Sequence, residues 1–100
     1  MYLYELIEQL ESRDPSKVVL NGFGKGMSWR GSYDEAAFEP VDETTYGEML
    51  EHAKALLDST QVGYKGGEYL MHGHCDVHIA DYGSIGEPIN SYNFKAWDAC

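Results

Sequence analysis

The chain has 100 residues, 43% of them hydrophobic, and its 17 acidic against 7 basic residues give a net charge of −10. This length allows one modest hydrophobic core, so we expect a single domain over residues 1–100. The composition excludes a disordered acidic tail, a membrane span of roughly 18 apolar residues and a disulfide framework. We expect a cytoplasmic protein that binds neither membranes nor nucleic acids, because its acidity repels their phosphates.

The first third of the chain predicts one helix and one strand. Residues 2–13 carry apolar side chains at every third or fourth position, which is typical of an amphipathic helix. Pro15 ends that helix, because the residue before a proline is disfavoured in the α conformation. The β-branched run 17–20 predicts a buried strand, and Asn21-Gly22 closes it as a turn.

The segment 21–33, NGFGKGMSWRGSY, contains four glycines and no acid and is predicted as a glycine-rich loop. A dinucleotide-binding fingerprint would need its third glycine at position 27, where Met27 stands. A phosphate-binding loop of the Walker type would need a lysine followed by serine or threonine after a correctly spaced glycine pair, and the segment has none. Both nucleotide-binding motifs are therefore rejected.

The middle of the chain predicts an extended segment followed by a helix. Residues 32–41 show no helical stripe, and Pro40 is expected to end this extended piece. Thr45 and Glu48 stand three residues apart, the spacing of a capping box, and an apolar stripe follows them. We therefore predict a helix from Thr45 to about Asp58.

The last third predicts a hairpin and an irregular end. Residues 63–69 form a glycine-rich turn that leads into a strand at 68–71, and 76–82 is expected to be its antiparallel partner. Residues 83–100 contain glycines, a proline and two asparagines, so we predict an irregular segment that packs across the domain. The fold class is therefore α+β, a small domain with an antiparallel sheet and two helices on one face.

Cations and aromatic residues concentrate in the two glycine-rich segments. Lys25 and Arg30 supply positive charge, and an arginine can bind a phosphate through two parallel hydrogen bonds. Trp29, Tyr33 and Tyr64 offer flat rings on which a base could stack. This pattern predicts a pocket for a phosphorylated ligand with a planar ring, while the alternative is that these residues only build turns and the core.

The motif HGHCDVH offers four residues that could ligate a metal: His72, His74, Cys75 and His78. A closed zinc site normally draws four ligands from two segments, and elsewhere only His52 and Cys100 could contribute. The other interpretation is a polar turn. We therefore expect no metal and no cofactor.

Catalytic residues are not indicated either. Ser28 and Ser32 have no histidine beside them in the sequence, and acidic residues that are adjacent in the chain point apart on a strand or helix. No pattern assembles a nucleophile, a base and a charge stabiliser. We expect a binding protein and not an enzyme.

Four pieces of the chain resemble a family of small bacteriophage proteins: SWRGSYDEAAFEP (28–40), TTYGEML (44–50), GYKGGEYLM (63–71) and IADYG (79–83). The resemblance implies an anti-defence sponge that sequesters a nucleotide immune signal of the ADP-ribose type, such as the histidine-ADP-ribose signal of the Thoeris system. It also implies a homodimer that acts in the host cytoplasm without cleaving the signal.

The resemblance assigns roles to residues of the shared motifs. Arg30 and Lys65 would hold a diphosphate, and Tyr33 and Tyr64, together with Trp29, would stack on the base. Asp34 or Glu68 would meet ribose hydroxyls or an amine. The complete predicted ligand-binding set is Lys25, Ser28, Trp29, Arg30, Tyr33, Asp34, Tyr64, Lys65, Glu68 and Tyr82.

A second class of function remains open because charge is segregated along the chain. Residues 34–51 contain seven acids and neither lysine nor arginine. Such a surface could imitate nucleic acid and block a host nucleic-acid-binding defence enzyme. A phosphodiesterase that degrades the signal is a third reading, which the missing catalytic set weakens.

Overall fold

The computed structural model describes residues 1–29, 34–57, 59–62, 68–81 and 84–99. Within these ranges the chain forms helices and strands in a mixed order, and the predicted α+β class is confirmed. In chain order the elements are α1 (Leu3–Glu11), β1 (Val18–Ser28), β2 (Glu35–Thr45), α2 (Tyr46–Leu56), β3 (Thr60–Val62), β4 (Glu68–Leu70), β5 (Asp76–Asp81), β6 (Ser84–Pro88) and α3 (Ser91–Asp98).

The main sheet has the strand order β1-β2-β5-β6, and β3 pairs with β4 in a separate two-stranded sheet. Strands β1/β2 and β5/β6 are antiparallel, whereas β2 and β5 are parallel, with Ala36 opposite Val77. The predicted antiparallel pairing of 76–82 with 68–71 was therefore wrong, because β5 pairs in parallel with β2 and β4 pairs with β3. Parallel neighbours need a long crossover, and α2 together with the β3–β4 hairpin supplies it here.

The two predicted helices are confirmed at nearly the predicted positions. In α1 the capping contact is the backbone N–H of Tyr2 to Glu5 Oε1, at 3.0 Å. In α2 the hydroxyl oxygen of Thr45 accepts from the Glu48 N–H at 3.2 Å, as the capping-box spacing predicts. The helix ends at Leu56, and the predicted end at Asp58 lies outside the described residues.

The segment 83–100 was wrongly predicted to be irregular, since it contains β6 and α3. Helix α3 begins because Asn90 caps it: Asn90 Oδ1 accepts from the Tyr92 N–H at 2.9 Å. Asn93 Oδ1 in turn accepts from the Asn90 N–H at 2.9 Å. Two asparagines spaced three apart thus satisfy the first amides of the helix, although asparagine also favours turns.

Strand β1 does not stop at Asn21-Gly22, contrary to the predicted turn and loop. Asn21 adopts a left-handed φ of 56°, which alters the strand without ending it, and its carbonyl accepts from Trp97 Nε1 at 3.1 Å. The glycines that follow serve packing: a Cβ on Gly22 would lie 2.7 Å from the Thr44 methyl carbon. One on Gly26 would lie 2.5 Å from Phe38 Cε1. These glycines therefore let β1 approach β2 and α2 closely.

Strand β2 likewise continues through Pro40, where the sequence pattern predicted its end. The pairing of β2 with β5 extends only from Glu35 to Phe38, so Pro40 lies where β2 has β1 as its described neighbour. A proline has no N–H to donate, and a strand with one paired side tolerates it. The β1–β2 register also shifts between Phe23 and Gly26.

The hydrophobic core joins all three helices to one face of the main sheet. The rings of Phe23 and Phe38 lie 4.3 Å apart at its centre, and the Trp97 ring lies 6.0 Å from Phe23. The largest fully buried side chains are Tyr46, Phe23, Phe38, Leu3, Leu6, Leu10, Met49, Met71, Ile89, Val19, Val77 and Cys75.

A polar contact at the edge of this core connects the helices. Asp98 accepts from Arg13 Nε at 2.9 Å and from Arg13 Nη2 at 3.0 Å, and the Tyr46 hydroxyl also donates to it. The Arg13 guanidinium stacks 4.3 Å from the centre of the Phe94 ring. The pKa of Asp98 is lowered, mainly by the hydrogen bonds from Arg13 and to a smaller extent by that from Tyr46. The pKa of Tyr46 is raised, mainly by burial and to a smaller extent by its hydrogen bond to Asp98.

Replacing Asp98 with asparagine is expected to cost about 1 kcal/mol of unfolding free energy at neutral pH, because the pair is partly exposed. The folded pKa of Asp98 is lowered, so this stabilisation is present above the unfolded value of about 3.9 and is lost as the pH falls through the folded value. Urea unfolding at pH 7 and pH 3 should show the wild-type advantage over D98N shrinking at pH 3. An equal advantage at both pH values would contradict this assignment, and D42N, at an exposed position of β2, is the control.

Candidate functional site

The structure describes only part of the predicted ligand-binding set. Lys25 and Ser28 lie in β1, Trp29 follows it directly, and Asp34 precedes β2. Glu68 begins β4. The predicted residues that lie outside the described ranges are Arg30, Tyr33, Tyr64, Lys65 and Tyr82.

The acid-free segment leaves the sheet at the end where β2 begins. Ser28 pairs with Ala36 in the ladder, and the Asp34 carbonyl accepts from the Asp76 N–H at 2.7 Å. Trp29 is half-buried, and the Asp34 side chain is 88% exposed. The described residues on either side of 30–33, Trp29 and Asp34, thus lie at the same end of the sheet.

A pocket of about 160 Å³ lies between β1 and the C-terminal half of α2. Its lining residues are Lys25, Gly26, His52, Ala55, Leu56 and Ser59. Small-molecule sites usually enclose about 300 Å³ or more, so this pocket accommodates one ring or one phosphate group and not a whole nucleotide. Its two titratable side chains are the exposed Lys25 and the half-buried His52.

The structure brings Lys25 and His52 together in this pocket, whereas Asp34 lies outside it. Asp34 Oδ1 lies 3.8 Å from His72 Nε2, on the segment that precedes β5. Lys25 therefore lines the pocket beside α2. Asp34 lies at the end of the sheet where β5 begins, close to His72. The predicted residues thus contribute to two separate surfaces among the described residues.

A cluster of exposed rings, the aromatic patch, consists of Tyr2, Tyr4, His72 and His74. The ring centres of Tyr2 and Tyr4 are 6.1 Å apart, and His74 lies 5.7 Å from Tyr2 and 5.1 Å from Tyr4. His72 extends the cluster, 6.4 Å from His74. Tyr2 is 40% and Tyr4 is 39% exposed, so each ring still presents surface to solvent.

Backbone hydrogen bonds fix the patch to the loop before β5. The Leu3 N–H donates to the Cys75 carbonyl and the Tyr4 N–H to the Gly73 carbonyl, both at 2.9 Å. Tyr2 also forms a bridge with Asp76. These bonds consume amides at the start of α1 that an anion would otherwise use, so the helix start does not offer a phosphate site.

The histidine motif does not assemble around a metal. His72 Nδ1 accepts from the His74 N–H at 3.1 Å, so the neutral ring carries its proton on Nε2. Cys75 is buried, and burial raises the pKa of its thiol to about 11, which keeps it protonated. His78 belongs to β5, where its Nδ1 is buried without a hydrogen-bond partner. The described residues contain no group of three His, Cys, Asp or Glu side chains suited to a metal.

Sequence reasoning missed the aromatic patch and the position of His52 in the pocket beside Lys25. Tyr2 and Tyr4 lie off the apolar stripe of α1, which already indicates exposed aromatic rings. His52 similarly lies off the buried positions of α2. No local signal shows that these tyrosines meet His74, because the contact joins residues about seventy positions apart in the chain.

The seven acids of residues 34–51 all have exposed side chains. The acidic segment comprises β2 and the first turns of α2. One of its members, Glu48, also accepts a hydrogen bond from the Thr44 hydroxyl at 2.8 Å. The segregation of charge in the sequence thus corresponds to seven exposed carboxylates on β2, on the residue before it and on α2.

Comparisons of the chain with protein families, with characterised proteins and with solved structures found no match. Its function must therefore be argued from the chemistry of its own surfaces. In the part of the chain that the structure describes, every helix is too short or too polar to cross a bilayer.

Proposed function

We propose that the protein binds a small nucleotide-type ligand with phosphates and sequesters it without cleavage, as a phage anti-defence protein in the host cytoplasm. The ligand would be an immune signal of the ADP-ribose type, such as that of the Thoeris system. The observation that carries the proposal is the position of Lys25 beside the β1–α2 pocket, in a segment without acids. The resemblance of residues 28–40 and 63–71 to small phage proteins supports it.

Electrostatics explain why this segment would attract a phosphate. Residues 15–33 contain Lys17, Lys25 and Arg30 but no acid, on a chain whose net charge is −10. An acid within a few ångströms of a bound phosphate would cost about 1 kcal/mol or more in a partly shielded pocket. The pocket beside Lys25 fits one phosphate or one ring, and the rest of the ligand would extend along β1 toward Trp29.

The pocket is suited to binding more than to catalysis. Ser59 Oγ donates to the Leu56 carbonyl at 2.6 Å, so its proton is not directed at His52. The described lining contains no carboxylate that could orient His52 as a general base. These features support sequestration over hydrolysis of the signal.

Ligand retention tests the proposal directly. The purified protein would be mixed with a panel of ADP-ribose-derived and cyclic nucleotides, filtered to remove unbound ligand and then heated, and the released material would be analysed by chromatography. Intact nucleotide released only on heating supports a sponge and identifies the signal. Altered nucleotide would indicate an enzyme, and retention of none would refute nucleotide binding.

Lys25→Ala is expected to weaken retention at least tenfold, because a hydrogen bond to a charged group is worth about 1.5–3 kcal/mol. Arg30→Ala should abolish retention without unfolding the domain, if it holds the second phosphate. The matched control is Lys54→Ala, an exposed lysine of α2 that does not line the pocket. Equal retention of the nucleotide by all three variants would show that Lys25 and Arg30 do not bind it, and would contradict a binding site at this pocket.

A second function is favoured by the exposure of all seven acids in residues 34–51. These carboxylates could occupy the basic channel of a host nucleic-acid-binding defence enzyme. Charge reversal at Asp42, Glu43, Glu48 and Glu51 should then abolish inhibition of that enzyme, and the inhibition should weaken steeply with salt. Normal inhibition by the quadruple variant would exclude the mimic, with folding checked because the Glu48 carboxylate accepts a hydrogen bond from the Thr44 hydroxyl.

A further inference from the structure

A second pocket, the α1–α3 pocket, lies between the first and the last helix and shares no lining residue with the pocket beside Lys25. Its volume is about 220 Å³. Part of its wall is apolar and is formed by Met1 and by the buried Phe94. The other lining residues are Gln9, Arg13, Ser91, Lys95 and Asp98.

The carboxylate and the amide oxygen of this pocket each already accept hydrogen bonds from Arg13. Asp98 Oδ1 accepts from Arg13 Nε at 2.9 Å and also from the Tyr46 hydroxyl, and Asp98 Oδ2 accepts from Arg13 Nη2 at 3.0 Å. Arg13 Nη1 donates to Gln9 Oε1 at 2.9 Å. A guanidinium only donates, so the amide oxygen of Gln9 faces Arg13 and its NH₂ group is left to donate elsewhere.

The polar groups that remain in the pocket are mainly donors. Lys95 is exposed in the last turn of α3 and forms no ion pair with any residue that the structure describes. The Gln9 NH₂ group and the Ser91 hydroxyl can each donate as well. Because Asp98 neutralises Arg13, Lys95 supplies the net positive charge of the lining. One cation among further donors is the pattern that favours an anion.

We propose that the α1–α3 pocket binds a small organic monocarboxylate whose apolar body is about the size of one ring. The carboxylate oxygens accept from Lys95 Nζ, from the Gln9 amide and from the Ser91 hydroxyl. The apolar body lies against Met1 and Phe94, which removes its surface from water. The inference does not depend on the proposed nucleotide site, since the two pockets have separate linings.

Charge and volume disfavour other occupants of this pocket. A phosphate monoester carries a charge of about −1.5 to −2 at pH 7. Asp98 is the one acid among the described lining residues, and its side chain is 45% exposed, so it repels a second negative charge. A cation would meet Lys95, because the carboxylate of Asp98 is already paired. A whole nucleotide exceeds the volume, since sites for such ligands usually enclose about 300 Å³ or more.

The wall of the pocket is fixed before binding, which limits the entropy that a ligand would lose. Arg13 joins the two helices, because it donates to the Gln9 carbonyl at 2.8 Å as well as to Asp98. Its guanidinium also stacks 4.3 Å from the centre of the Phe94 ring. Ser91 is the first residue of α3 and is positioned by the Asn90 cap. The donors therefore project from two helices that are held together.

Benzoate would be the probe, with benzamide as its neutral counterpart of the same shape and phenyl phosphate as the dianion. Titration of the full chain would be followed by NMR shifts of the backbone amides. We expect saturable shifts at Gln9, Ser91 and Lys95, with a dissociation constant in the millimolar range that so small a ligand allows. Benzamide should bind about two- to fivefold more weakly, the loss expected for one exposed ion pair, and phenyl phosphate no more tightly than benzoate. Equal binding of benzoate and benzamide, tighter binding of phenyl phosphate, or no saturable shifts in α1 and α3 would overturn the proposal.

Lys95→Gln should weaken benzoate binding about two- to fivefold and leave benzamide binding unchanged, whereas Lys95→Arg should retain most of the affinity for benzoate. Ser91→Asp adds a carboxylate at the first residue of α3, where a helix favours negative charge, so it should weaken benzoate binding without unfolding the domain. The matched control is Lys54→Gln, at an exposed lysine of α2. Unchanged benzoate affinity in Lys95→Gln and Ser91→Asp, or an equal loss in Lys54→Gln, would refute the inference.

Asp98→Asn tests why the pocket prefers a single negative charge. This change removes the acid that opposes a second charge and leaves Arg13 without its ionic partner. Phenyl phosphate should therefore bind the variant more tightly than it binds the wild type, and its affinity should rise relative to that of benzoate. An unchanged ratio of the two affinities would contradict the selection of a monocarboxylate by Asp98.

Discussion

Replacing Phe38 with alanine should lower the free energy of unfolding by about 3–5 kcal/mol. Phe38 has no exposed surface, its ring lies 4.3 Å from that of Phe23, and it fills the space that Gly26 leaves open. The loss combines the transfer of a ring from the core with the cavity that remains. A domain of this size is stable by about 5–15 kcal/mol, so much of the margin would disappear.

Thermal and urea unfolding would measure this loss, with a fall in Tm of about 4–8 °C for each kcal/mol. Phe38→Leu serves as the comparison because it keeps most of the apolar volume and should retain more than half of the stability lost in the alanine variant. Equal losses of unfolding free energy in the two variants would contradict the explanation that the cavity left by alanine causes the larger destabilisation.

Gly86→Ala should destabilise the domain by about 2–4 kcal/mol through β5 and β6. Gly86 has a φ of 77°, a conformation that costs other residues energy, and a Cβ there would overlap the Ile79 carbonyl oxygen. The overlap involves backbone atoms, which cannot move without disturbing the β5–β6 ladder.

Hydrogen exchange of the β5 and β6 amides, together with urea unfolding, would localise the effect of G86A. Gly24→Ala is the matched control, since its Cβ would lie 3.2 Å from the Val41 side chain and at an ordinary contact distance of 3.9 Å from the Glu39 carbonyl oxygen. Comparable stability of the two alanine variants would contradict the role of the left-handed backbone at Gly86.

The elements that could be predicted from the sequence are those determined by neighbouring residues. The apolar spacing of α1 and the Thr45–Glu48 pair of α2 act within one or two helical turns, so the pattern sufficed. Asn21-Gly22 is an equally local signal, but the turn that it predicted is absent, because β1 continues through it to Ser28. Packing against Thr44, Phe38 and the Trp97 indole holds β1 in strand form past it.

Pairings between distant segments could not be predicted in the same way. Strand β5 was recognised as a strand, but its neighbours are β2 and β6 and not the predicted segment 68–71, and the local pattern of β5 does not encode that choice. For the same reason the sequence indicated Lys25 and Asp34 as binding residues without showing that they lie on different surfaces. The aromatic patch depends on contacts between residues 2–4 and 72–76, which only the tertiary fold creates.

The anchoring of the chain start against residues 73–76 has a consequence for biosynthesis. The backbone amides of Leu3 and Tyr4 bind carbonyls of Cys75 and Gly73, about seventy residues later in the chain. At a translation rate of about 5–20 residues per second, roughly 4–15 seconds separate the synthesis of these partners. Until then β2 also lacks β5, so α1 and the β1–β2 hairpin emerge from the ribosome with their apolar faces only partly covered. The nascent chain is therefore exposed to chaperones and proteases until β5 and α3, which complete the core, have been made.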